Sequence, residues 1–282
     1  MLKSEKNIKI AILDLYEGQA NQGMRCIQQI IDEWTIKNNK EAQLDIFDVR
    51  RKLEIPDLSY DIFISSGGPG SPLESMNSEW DNKYIQWIDH LENFNNDFSN
   101  YPKKHAFFIC HSFQLACRHF KIGNVCKRKS TAFGTFPVHM TEEGKHEIVF
   151  AGMKDPFYAV DSRDYQVIEP DNDRINQLGV KVLAIEKERP HVAHFERAVM
   201  AVRFNDYFIG TQFHPEADAF GMTVHLNTEE KKETVIKNYG EKKWKSMIEH
   251  LNDPDKILWT YSHIIPNFLD IAVEELMETT NA

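Results

Sequence analysis

Cysteine, basic charge and long apolar runs are all scarce in this chain. Its 282 residues include four cysteines, Cys26, Cys110, Cys117 and Cys126. They are too few and too scattered for a disulfide framework at this size, and they read as reduced thiols. Acidic residues outnumber basic ones by 43 to 33, for a net charge of −10. With no basic stripe, the sequence lacks the electrostatic attraction that nucleic-acid binders and anionic-membrane binders use. No apolar run reaches the ~20 residues of a membrane span. The opening stretch, MLKSEKNIKIAILDLYEG, does not read as a secretory signal: Asp14 interrupts its apolar core and no small-residue cleavage site follows. The expectation is a cytoplasmic protein with no nucleic-acid or membrane partner. Internal repeats and low-complexity segments are also missing. With 41% hydrophobic residues, a chain this long can bury a core without a metal or disulfide staple.

What is present is an alternation of strand and helix signals. IKIAILDL (8–15), AQLDIFDV (42–49), DIFISSGG (61–68) and HAFFIC (105–110) read as strands. MRCIQQIIDEW (24–34) and HSFQLACRHF (111–120) carry helical spacing, and residues 74–102 read as a helix and loop. Nearly continuous apolar strands alternating with helices predict a parallel sheet covered on both faces. The second half changes character. HEIVFAG, YAVDS, KVLAIEK, HVAHFE, AVMAVRF and YFIGTQF are short strand candidates that predict antiparallel additions to the sheet or a side sheet. Beyond Gly221 the pattern is helical, with Gly240 as a stop signal and Pro266 as a break or kink. The expected organisation is an α/β domain over 1–221 and an α-helical C-terminal extension over 222–282. The extension reads as a cap packed on the domain or as a docking surface for a partner subunit or a second copy.

Three segments carry chemistry. Ser65-Ser66-Gly67-Gly68-Pro69-Gly70-Ser71-Pro72 follows a strand, and its glycines leave backbone N–H groups that either cradle an oxyanion or merely make a turn. It lacks the Gly-Lys-Ser/Thr ending of a phosphate loop. Cys110 falls where a strand meets a helix, as a nucleophile at the sheet's C-terminal edge or as a small buried hydrophobe. Phe213-His214-Pro215-Glu216 follows the strand YFIGTQ. In extended chain, residues i and i+2 share a side, so Glu216 can hold the His214 imidazole as an orienter holds a base, unless the segment is a solvated turn. Cys110, Cys117, His119 and Cys126 are near one another in sequence, but their spacing matches no common zinc pattern, and no metal is expected. Asp161 and Asp164 read as solvated loop carboxylates or as lining of the pocket, Cys117 as core, and His191 and His194 as ordinary strand or surface residues. Tyr16, Glu17 and Gly18 border the site or form a turn.

In this order, GGPGSP, FICHSFQ and GTQFHPEAD resemble the class I glutamine amidotransferase family, over residues of about 8–220. FGTFPV (133–138) and AVDSRD (159–164) are similar to further landmarks of that family, the second where a Ser-His-Gly-Asp-like loop is common. The likeness is to stand-alone proteins akin to the amidotransferase domain of GMP synthase. It implies a flavodoxin-like fold with a central, mostly parallel sheet. It also implies a Cys110 nucleophile, a His214 base, a Glu216 orienter, oxyanion N–H groups at Gly68 and His111, and substrate binding by Gln114. No cofactor is called for. The implied partners are glutamine or a γ-glutamyl compound and a separate synthetase, with self-association through the extension also open. The implied reaction is hydrolysis of the glutamine side-chain amide, the alternatives being a γ-glutamyl peptide hydrolase or a non-catalytic scaffold. Two positions depart from the family's Gly-x-Cys-x-Gly-x-Gln elbow: Phe108 and Ser112 stand for its glycines. Phe108 requires a local rearrangement or a pocket filled by its ring.

Overall fold

Strands that are apolar at every position need cover on both faces, and the first strands show how it is supplied. The computed structural model describes residues 7–189, 196–251, 253 and 256–280. In chain order the strands are β1 (Ile8–Asp14), β2 (Ala42–Asp48), β3 (Ile62–Ser65), β4 (His105–Ile109), β5 (Asn124–Met140), β6 (Phe157–Ile168), β7 (Lys181–Glu186), β8 (Val199–Arg203) and β9 (Phe208–Thr211). The helices are α1 (Gln22–Asn38), α2 (Val49–Lys52), α3 (Glu79–Asn96), α4 (His111–Phe120), α5 (Glu142–Lys145), α6 (Asn172–Leu178), α7 (Ala219–Leu226), α8 (Glu229–Tyr239), α9 (Glu241–Leu251) and α10 (Ile257–Thr280). Ile8, Ile10 and Ile12 of β1 enter one apolar layer, while Ala11 and Leu13 enter the other. Ile62 and Ile64 oppose Phe63 in the same way, and Phe107 and Ile109 oppose Phe108. Helices α1 and α10 close the first layer, and α3 and α4 the second.

One sheet runs β2-β1-β3-β4-β9-β8-β7-β5-β6. The first five strands in that order are mutually parallel. The rest extend the same sheet with antiparallel pairings, so the additions foreseen in the sequence join the main sheet. Strand order reverses between β1 and β3, and in open α/β sheets ligands bind beyond the strand C-termini at such a reversal. The segments after β1, β3, β4 and β9 meet there.

Several local expectations give way. HEIVFAG holds a 3-10 turn, Ile148–Phe150, in place of a strand. Its entry is capped by the Glu147 side chain, which also pairs with Arg203 at 2.6 Å. AVDSRD lies within strand β6, not in a loop. Helix α10 runs through Pro266 without a break. Proline inside a helix costs about 3 kcal/mol, and here Ile264, Ile265, Phe268 and Leu269 are all buried around it. Burial contributes about 1.5–3 kcal/mol for each such side chain, which outweighs that cost. Phe268 packs edge-on to Phe107, 5.2 Å between centroids, and Trp34 Nε1 donates to Asp270 at 2.7 Å. His191 and His194, with the strand candidate around them, lie outside the described residues. No helix of the described residues is long and apolar enough to cross a membrane.

Candidate active site

Cys110 joins β4 to α4 with φ 50° and ψ −96°. That is a conformation L-residues avoid, and outliers of this kind cluster at functional sites. The turn is over-determined by its neighbours. Cys110 N–H donates to Thr211 O at 2.7 Å, and Gln114 N–H to Cys110 O at 3.0 Å. The Ser112 hydroxyl accepts from Ile109 N–H at 2.7 Å and donates to Ser65 O at 2.8 Å. Ser112 thus ties the ends of β3 and β4 to the first turn of α4, a link that glycine could not make. The unpaired N–H groups of that turn present positive partial charge to the sulfur.

Phe108 fills a pocket. It is fully buried among Trp87, Phe204 and Phe208, with centroids 5.9–6.3 Å away. Its partner in register on β9 is Gly210, where an added Cβ would lie 3.1 Å from the Phe108 Cβ and 2.9 Å from the Phe113 ring. The missing side chain on β9 is what admits the ring on β4. Phe108→Ala is therefore expected to destabilise the protein by about 3–5 kcal/mol, read as a lowered denaturant midpoint.

His214 is held by an isolated bridge, its N–H donating to Val160 O at 2.8 Å. Its Nδ1 lies 2.8 Å from Glu216 Oε1, and the Glu216 side chain is 1% exposed. The imidazole and Cys110 flank the same glycine, Gly67, and both line one cavity. Burial by itself lowers the His214 pKa. The Glu216 carboxylate and a Cys110 thiolate outweigh it and hold the imidazole charged well above its usual range.

The glycine-rich loop closes the site from β3. A Cβ on Gly67 would lie 2.9 Å from His214 Cε1 and 3.6 Å from Cys110 Cβ, and one on Gly68 would strike the Leu15 carbonyl. Gly68, His111 and Gln114 all line the same cavity of about 620 Å³ as Cys110, His214 and Glu216. The His111 ring itself is turned inward. Burial, with Arg50 and Arg118 adding to it, depresses its pKa to about 3, so the ring is neutral.

Beside Cys110 stands Gln212, a residue that sequence reasoning passed over. Gln212 is fully buried, with Nε2 3.7 Å from Cys110 Sγ and Oε1 accepting from Gln114 Nε2 at 3.1 Å. The same-side rule that pairs His214 with Glu216 extends back to Gln212. Cys110 Sγ also lies 3.8 Å from Ser162 O. The Tyr16 phenol reaches in between Gly23 and Gly67. Burial, then Glu216 and Cys110, push its pKa well up, so it stays protonated. Glu17 instead pairs with Arg50 at 3.0 Å. Asp161 is not a solvated carboxylate. It is buried beside Arg163 Nε at 3.1 Å, and Arg163 Nη2 continues to Glu186 at 3.5 Å. Burial raises the Asp161 pKa against the pull of Arg163 and Arg128. Asp164 is exposed at the cavity rim. The four residues weighed for zinc are parted: Cys117 is core, as expected, and His119 Nε2 pairs with Asp89 at 3.1 Å.

The fold is shared with solved structures. A glutamine amidotransferase from Thermotoga maritima matches with a TM-score of 0.67 at 15% identity, over 95% of this chain and 99% of that one. The glutaminase domain of Trypanosoma brucei CTPS, with bound acivicin, matches with a TM-score of 0.60 at 16% identity, over 95% and 94%. A glutamine amidotransferase from Methylobacillus flagellatus gives 0.58 at 12% identity, over 94% of each chain. No curated protein matches the sequence. The model of the glutamine amidotransferase class-I family matches residues 12–230. That match covers well over half of the sequence and takes in the elbow, the glycine loop and the His-Pro-Glu segment: the chain belongs to the class-I glutamine amidotransferase family.

Proposed function

We propose that this protein hydrolyses the side-chain amide of glutamine to glutamate and ammonia through Cys110, His214 and Glu216. The observation that carries the reading is the strained Cys110 turn facing an imidazole whose Nδ1 is held 2.8 Å from a buried carboxylate. Strain at a single nucleophile persists only where the surroundings enforce it, which a non-catalytic scaffold has no reason to do. The Cys110 thiolate adds to the amide carbon, and the Gly68 and His111 N–H groups receive the oxyanion. The His214 imidazolium gives its proton to the departing ammonia as the C–N bond breaks, leaving a γ-glutamyl thioester. Neutral His214 then takes a proton from water as the hydroxide adds to the thioester. The C–S bond breaks and glutamate leaves. Glu216 fixes the tautomer that both steps require. These are acyl and proton transfers, which call for no redox group. Gln114 lines the cavity and is held by the buried Gln212, which also reaches the sulfur. Ammonia passes to a synthetase partner or to solvent. The test is equimolar release of ammonia and glutamate from glutamine by the purified protein, with none from Cys110→Ala. Release by both proteins alike would refute the reading.

The size of the cavity favours a second reading of the substrate. The cavity of about 620 Å³ opens to solvent on one side, so a substrate longer than a free amino acid can extend along it. Part of its wall is apolar, formed by Phe133, Val160, Met222 and Val235. A γ-glutamyl amide with an apolar group on nitrogen would use that wall. The expected result is Cys110-dependent hydrolysis of a γ-glutamyl anilide with kcat/KM about tenfold or more above that for glutamine, since each buried methylene contributes about 0.8 kcal/mol. Hydrolysis of glutamine alone would leave the first reading in place and remove the second.

A further inference from the structure

We propose that Ser66 aims the Gly68 N–H at the reacting centre, making it a positioning residue of the oxyanion site. The inference rests on the amide-hydrolysis reading. Two consecutive glycines, Gly67 and Gly68, carry no side chains that could fix their peptide plane, and glycine has little intrinsic conformational preference. Something outside them must hold that plane. Ser66 is fully buried, and its hydroxyl is used in both senses: it accepts from Leu15 N–H at 2.9 Å and donates to Gly67 O at 2.8 Å. Its own N–H is fixed to Leu13 O at 3.0 Å. The hydroxyl is therefore anchored to β1 at one end and grips the Gly67 carbonyl at the other.

A trans peptide unit is planar, with its N–H pointing opposite to its C=O. Holding Gly67 O towards Ser66 and β1 turns the Gly68 N–H the other way. Gly67 itself abuts the reacting groups, since a Cβ there would lie 2.9 Å from His214 Cε1 and 3.6 Å from Cys110 Cβ. Two residues on, Arg50 Nη1 takes Pro69 O at 2.7 Å, so a second carbonyl of the loop is also held. An oxyanion donor is effective only if it is oriented before charge develops. Without the hydroxyl, the Gly67–Gly68 plane can rotate, and the donor is lost without any change at Cys110 or His214.

The experiment compares Ser66→Ala with the full-length wild type on an amide substrate that the wild type hydrolyses. The expected result is a fall in kcat of about tenfold or more, below the 10²–10³ for outright loss of a donor, with KM changed less than about threefold. Two further readouts separate orientation from general damage. Glutamate γ-semialdehyde adds to the thiol to give a tetrahedral hemithioacetal, and its affinity should fall by the same factor as kcat/KM. Alkylation of Cys110 by iodoacetamide, which needs no oxyanion donor, should hold within about twofold. If the alanine variant does not fold, Ser66→Thr, which keeps the hydroxyl, and Ser66→Cys, a weaker donor, give the same contrast. Unchanged kcat and unchanged aldehyde affinity would overturn the role. So would parallel losses of kcat, substrate binding and alkylation, the signature of a merely structural serine. A wild type with no Cys110-dependent amide hydrolysis is a distinct outcome, because it removes the functional reading and this role with it.

Discussion

Cys110→Gly should abolish amide hydrolysis and at the same time make the protein more stable. Loss of the nucleophile removes the covalent route, and kcat should fall by roughly four orders of magnitude or more. The stability gain follows from the backbone. At φ 50° and ψ −96° an L-residue carries about 1–3 kcal/mol of strain, which glycine does not. Glycine returns about 0.5–1 kcal/mol of that through its freer unfolded chain. The net expectation is a gain of about 1 kcal/mol in denaturant unfolding. Cys110→Ser should lose activity without that gain, because it keeps a Cβ. The difference between the two variants isolates the strain. A glycine variant no more stable than serine would show that the turn stores none.

The second large effect is expected from Glu216→Gln. The carboxylate is 2.8 Å from His214 Nδ1 and almost wholly buried. An amide there can present its N–H to Nδ1 and stabilise the wrong tautomer, which in a comparable triad lowers kcat by about 10⁴. We expect a loss of about 10²–10⁴, with KM little changed. The pH profile should move too. In the wild type, burial lowers the His214 pKa, but Glu216 and the thiolate overcome it and place the value well above the ordinary 6.5. The alkaline limb of kcat/KM should lie correspondingly high. Without the carboxylate, burial is opposed by less, and the limb should move to lower pH. Stability follows with a definite sign. A raised folded pKa contributes stability that is fully present below the ordinary value and is lost as pH rises through the folded one. The wild type should lose stability across that window, and Glu216→Gln should lose less. An unchanged limb in the variant would show that Glu216 does not govern the imidazole.

How much of this was legible in the sequence depended on whether the relevant force was local. The parallel strands could be read because both of their faces are buried, as in β1, where Ile10 and Ala11 enter opposite layers. The nucleophile turn could be read because strand, Cys110 and helix are contiguous. Strand β5 could not. It has a register shift between Lys127 and Ala132, Gly134 at φ 138° and Pro137, and together these erase the two-residue period. Ile148–Phe150 reads as strand from composition alone, because a short apolar run has no period to distinguish it. Pro266 reads as a helix stop because its cost is local, whereas what offsets it is packing against distant chain. The buried set of Arg128, Arg163, Asp161 and Glu186 joins three strands and their flanks, which no local pattern announces. Phe108 reads as a difficulty in the sequence because its resolution, Gly210, lies about a hundred residues further along the chain. Gln212 was within reach of the rule already applied to His214 and Glu216.

In the proposed reaction Cys110 forms a covalent bond to the acyl group of the substrate. The most direct measurement is rapid acid quench of the wild type during turnover of glutamine, followed by peptide mass spectrometry of the segment that contains Cys110. A γ-glutamyl thioester on Cys110 should appear with substrate, decay as glutamate forms, and persist longer in a His214→Ala variant, where water is no longer activated. Steady release of glutamate with Cys110 unmodified throughout, or undiminished release by Cys110→Ala, would contradict it.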